Sequence, residues 1–102
     1  MNFTETLATL DDVSHLQKIE LFNADGSLNA TIENKSGQKG SLRIYAHLAK
    51  KYGSINTDAA QEGLNLYCEH TDDAEINPGK HPNIDRLFDV LEADTSLKFK
   101  LI

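Results

Sequence analysis

From Gln17 to Phe22 the chain alternates apolar and polar positions, Ile19 and Leu21 against Lys18 and Glu20, the period of a strand with one buried face. Leu28, Ala30 and Ile32 repeat that alternation against Asn29, Thr31 and Glu33. Between the two runs, Asn23-Ala24-Asp25-Gly26-Ser27 supplies a glycine for the positive φ of a bulged turn, so the pattern predicts a β-hairpin. Leu97, Phe99 and Leu101 alternate with Lys98 and Lys100 in a C-terminal strand, which has to join the hairpin because a lone strand leaves its backbone groups unpaired.

Elsewhere the spacing is helical. Phe3, Leu7 and Leu10 predict a short first helix behind Asn2 or Thr4, ended by Asp11-Asp12. Leu42, Tyr45, Leu48, Ala49 and Tyr52 share one face of a second helix, with Ser41 as its N-cap and Gly53 as its stop. Ala60, Leu64, Tyr67 and Cys68 form the stripe of a third, widened by Ala59, Gly63 and Leu66 and started by Asn56 or Thr57. Gly63 there implies close approach of the preceding helix at Ala46 or Ala49. Glu69 to Pro82 reads as a polar loop, after which Asn83 caps a helix that buries Ile84, Leu87, Phe88 and Leu91. The sum is a single α+β domain: a three-stranded, mostly antiparallel sheet (hairpin plus C-terminal strand) with one face covered by three or four helices, its strand order left open.

Charge changes the picture in one place. The chain has 10 basic and 16 acidic side chains, a formal −6, which argues against general nucleic-acid binding. Residues 34–57 nevertheless hold five basic residues and no acidic one, leaving −11 on the remainder. A basic patch on an acidic body suits a small anion, an acidic protein partner, or a second copy whose Asp72 to Glu75 segment offers the opposite sign. A lone Cys68 that cannot form an internal disulfide, with no charged-then-apolar leader, points to the cytoplasm, and no apolar run approaches the roughly 20 residues of a membrane span.

The candidate site is therefore the loop and helix that carry Lys35, Lys39, Gly40, Ser41, Arg43, His47, Lys50 and Lys51. A glycine-containing approach to a helix N-terminus lets an oxyanion reach outward-pointing amides while lysines neutralise it. Gly37-Gln38-Lys39-Gly40-Ser41 is not a phosphate loop, which needs a lysine between its last glycine and the Ser or Thr. Cys68, Glu69, His70, Asp72, Asp73, Glu75 and His81 are potential ligands whose spacing fits no zinc signature, so no metal or other cofactor is expected. The leading expectation is a non-enzymatic binding or regulatory domain. The alternative is a small nucleotide- or phosphate-binding enzyme using the same helix start, with His47 as general base.

Three segments carry a resemblance: Gly40-Ser41-Leu42-Arg43-Ile44-Tyr45, Ala60-Gln61-Glu62-Gly63-Leu64, and Asn77 to Phe88. They resemble a family of short uncharacterised bacterial proteins, a domain of unknown function. The resemblance covers almost the whole chain. It implies a bacterial cytosolic protein and supplies no activity, cofactor or catalytic residue.

Overall fold

The two alternating runs pair as their period dictates. In a computed structural model describing residues 1–102, β1 (Lys18–Phe22) and β2 (Leu28–Glu33) form an antiparallel hairpin with Ile19 opposite Ile32 and Leu21 opposite Ala30. Gly26, at φ 90°, makes the turn, and the register shifts by a bulge between Leu21 and Phe22. β3 (Lys98–Leu101) adds antiparallel to the other side of β1, giving the order β2-β1-β3. Ile19, Leu21 and Ile32 are buried under the helices, and the polar side of the sheet faces solvent.

Five helices complete the α+β fold: α1 (Phe3–Leu7), α2 (Lys39–Tyr52), α3 (Thr57–Leu66), α4 (Glu69–Ile76) and α5 (Pro82–Ala93). α2 is the centre of the molecule, packing on β1 and β2 with one side and on α3 and α1 with others. That position buries Ile44 and Ala46 as fully as Leu42, Tyr45, Leu48 and Ala49, which a one-face reading leaves out. α3 and α5 pack on each other, and Leu87 and Val90 of α5 complete one continuous apolar core. Every buried side-chain nitrogen and oxygen has a hydrogen-bond partner.

Four local expectations are corrected. α2 begins before Ser41, whose hydroxyl accepts a 2.7 Å bond from Tyr67 Oη instead of capping the helix. α5 begins at Pro82, not behind Asn83, because proline suits a first helical position, where its missing N–H would have no partner. The Glu69 to Pro82 segment is not all loop: α4 occupies most of it, burying Ala74, and it escaped the periodicity argument because it has no apolar stripe. Cys68 leaves the α3 stripe altogether. It sits at φ 53° and ψ −122° between α3 and α4, where the chain breaks direction, with its thiol 3.3 Å from the Thr6 hydroxyl.

Gly63 marks a close approach, though not to Ala46 or Ala49. A Cβ there would stand 2.7 Å from a Leu87 methyl and 2.9 Å from a Leu48 methyl, so the glycine lets α2, α3 and α5 meet at one point. Gly40 has a parallel use, since its Cβ would lie 3.1 Å from Phe3 Cζ and 3.2 Å from Leu7 Cδ1. α1 is thereby laid across the first turn of α2.

Candidate functional site

Most of the basic stretch is already paired within the protein. Lys35 pairs with Glu33 of its own hairpin at 2.7 Å. Arg43 donates through Nε to the Asp11 carbonyl at 3.1 Å and through Nη2 to the Leu10 carbonyl, so it ties down the segment after α1. It is half-buried, not the exposed residue that the helical pattern suggests. His47 Nε2 lies 2.6 Å from Glu62 of α3, and Lys51 and Tyr52 donate to the other carboxylate oxygen. Burial pushes the Glu62 carboxyl up, but the bonds from Lys51, Tyr52 and His47 override it and bring it down to about 2. Lys50 is exposed and has no carboxylate within ion-pair range.

Lys39, Gly40 and Ser41 are placed differently. They line a cleft of about 420 Å³ between α1, the start of α2, the end of α3 and the start of α5. Its apolar wall is Phe3, Leu7 and Tyr67, with the Phe3 and Tyr67 rings stacked at 5.6 Å and 4°. The opposite wall is Lys80, His81, Pro82 and Asn83, and His70 lies between, edge-on to Phe3 at 4.7 Å.

The starts of α2 and α5 both reach this cleft, and neither has a side-chain cap. Gln38 stands at the N-cap of α2, but its side-chain oxygen accepts from the Glu33 amide at 2.9 Å instead. The first amide of α2 with a partner is Leu42, bonded to the Gln38 carbonyl, so the Lys39, Gly40 and Ser41 amides donate to nothing in the protein. At α5, His81 provides no cap and the amide of Asn83 is likewise without a partner. Of the other helices, α1 and α3 are capped by Asn2 and Asn56, each accepting at 2.8 Å, and α4 behind Cys68 also has no side-chain cap. The first turn of α2 also has no acidic residue and begins with Lys39. A cation at the positive end of a helix dipole is locally unfavourable, so both features raise the potential at one spot.

Asp73 of α4 partly offsets this charge from behind. It accepts from His81 Nε2 at 2.6 Å and from Lys80 at 2.9 Å, and these bonds, with one from Asn77, hold its carboxyl down at about 2. Lys39 is the cleft lysine with no carboxylate partner. Tyr67 is buried against the cleft floor, and burial keeps its phenol protonated by raising it well above its ordinary range. Its hydroxyl is thus a fixed donor to Ser41.

The residues weighed as metal ligands are dispersed among other tasks. Cys68 meets Thr6, Glu69 accepts from the Phe3 amide at 2.8 Å, and Asp73 is occupied by His81 and Lys80. His70 and His81 do come close, with ring centroids 5.6 Å apart. Lys39, Gly40 and Ser41 stand out in the sequence as a site and His81 only as a potential metal ligand, whereas Phe3, Tyr67, Lys80 and Asn83 do not stand out. The adjacent Lys80-His81-Pro82, a basic pair leading into a proline-started helix, was the available signal.

A family model described as an uncharacterized protein conserved in bacteria (DUF2322) matches residues 3–101. No curated protein and no solved structure matches the chain. No helix is long and apolar enough to cross a membrane.

Proposed function

The chain belongs to the bacterial family DUF2322, and for this member we propose that the cleft between the starts of α2 and α5 holds a small ligand with an anionic head and an apolar or aromatic body. The observation that carries the reading is the convergence of two uncapped helix starts on one cleft, next to an unpaired Lys39. Free amides and a helix dipole bind phosphate or carboxylate oxygens without a dedicated motif. Phe3, Leu7 and Tyr67 give such a ligand's body an apolar surface to cover, beside the polar groups that would orient its head. The domain is then a ligand-binding or ligand-sensing module, with the ion-paired Lys35, His47 and Lys51 outside the site.

The test is thermal unfolding against a panel of phosphate monoesters, nucleotides, sugar phosphates and organic acids. A ligand that prefers the folded state stabilises it by about 2.7 kcal/mol at about a hundredfold its Kd. At least one member should raise the melting temperature of the wild type and raise that of Lys39→Glu clearly less at the same concentration. A panel without a shift at millimolar concentration contradicts the reading.

A second reading rests on one contact. The Asp73–His81 pair holds the imidazole in place at the cleft, an arrangement that also serves general acid–base catalysis. It moves the enzyme hypothesis from His47, which is bound to Glu62 away from the cleft, to His81. Turnover of phosphate or carboxylic esters lost in His81→Gln, with ligand binding retained, would favour it. Turnover at background level in the wild type would remove it.

A further inference from the structure

The helices pack on β1 and β2, whereas β3 is held chiefly by β1 and leaves its outer edge free. The phase of the ladder says which groups that edge presents. Lys18 and Ile102 exchange both backbone bonds, so Lys100 and Lys98 follow as the bonded partners of Glu20 and Phe22. The N–H and C=O groups of Phe99 and Leu101 therefore point away from β1, and no side chain or other backbone group meets them. Two residues before Phe99 on the same edge, Leu97 already pairs with Ile55, exchanging bonds of 3.0 and 2.9 Å. A further rung has thus been added at one end of the edge and stops there.

Side chains beside the open rungs have a consistent pattern. Phe99 and Leu101 lie on the core side of the sheet yet remain half-exposed, unlike Ile19 and Leu21 next to them. Lys98 and Lys100 lie on the solvent side, exposed, and neither has a carboxylate within ion-pair range. Two β3 edges paired with each other would set these lysines against one another, which disfavours a second copy as the occupant.

We propose that the free edge of β3 is a docking strand for an extended acidic segment of another protein. That segment joins the sheet through the backbone groups of Phe99 and Leu101, lays apolar residues over those two side chains, and sets carboxylates at alternate positions against Lys98 and Lys100. Main-chain bonds supply the affinity and the lysines select the sign of the partner. This surface is separate from the cleft, and the two stand or fall independently.

The probes are two short synthetic peptides, one alternating valine with glutamate and one alternating valine with lysine. The glutamate peptide should bind, lose affinity as salt rises, and slow hydrogen exchange at the Phe99 and Leu101 amides by about tenfold or more. The lysine peptide should not. Lys98→Gln with Lys100→Gln, which puts no new carboxylate against Glu20, should weaken the glutamate peptide several-fold without altering the melting temperature. Alternate N-methylation of the peptide should abolish binding. Equal binding of both peptides, binding that survives N-methylation, or unchanged exchange at millimolar peptide would overturn the proposal.

Discussion

The two ends of α2 carry the same residue types and have opposite fates. At the C-terminal end, His47, Lys51 and Tyr52 converge on Glu62, and Gly53 closes the helix in a left-handed conformation at φ 75°. At the N-terminal end, Lys39 is unpaired, the first turn has no acidic residue or side-chain cap, and three amides have no partner. Cations are favourable at the first location, where ion pairs add to the dipole, and unfavourable at the second, where Lys39 has no carboxylate partner to offset it. One end is electrostatically satisfied and the other is not. The comparison teaches that a run of basic residues along a chain does not define a basic surface, because carboxylates from distant elements choose which of them stay free.

The largest effect is predicted where the neutralised end is held in place. Gly63→Val puts a branched side chain against Leu48 and Leu87 and should cost about 2–3 kcal/mol in chemical denaturation by forcing α3 away from α2. Glu62→Gln comes next. It should cost about 1–2 kcal/mol near neutral pH through loss of charged hydrogen bonds. Because folding lowers the Glu62 pKa from 4.5 to about 2, this contribution is complete above the higher value and lost as pH falls through the lower. The wild type and variant should therefore converge in stability across that interval. The same substitution frees His47 and Lys51, and should make the C-terminal end attract anions that it otherwise ignores.

Lys39→Glu sharpens the contrast from the other side. By placing an anion at the positive end of α2 it should stabilise the unliganded protein by about 0.3–1 kcal/mol. Ligand affinity should fall about tenfold or more in the same variant, the loss of a charge-assisted contact. Stability rising while binding falls is the signature of a residue retained for a ligand. Lys50→Ala should do neither, changing stability by no more than about 0.5 kcal/mol and leaving the cleft unaffected.

The sheet was legible in the sequence because strand alternation and a glycine turn are local signals. Ile19, Leu21, Ile32 and the Leu97 to Leu101 run all take the faces that their period assigns. The bacterial family was legible as well, from three segments of wording. The strand order was not, since nothing local tells β3 which side of the hairpin to join. α4 was hidden by its lack of an apolar stripe, and the cap of α2 by a tertiary event, the capture of Ser41 by a tyrosine 26 residues away. The candidate site was half legible. Lys39, Gly40 and Ser41 stood out by charge and glycine content, but Phe3, Tyr67 and the neighbouring His81 and Asn83 come to them from three separate parts of the chain. The sequence pattern also could not show that Glu62 withdraws His47 and Lys51, because Glu62 belongs to another helix.

An anion-binding cleft requires the two ends of α2 to differ in their readiness to take an anion. A titration of the labelled protein with inorganic phosphate, followed by amide chemical shifts at constant pH and ionic strength, reads both ends at once. Saturable shifts at Lys39, Gly40, Ser41 and Asn83, with His47 to Tyr52 unmoved, are the predicted result. Shifts centred on His47 to Tyr52, or no saturable shift at either end up to millimolar phosphate, would contradict the account.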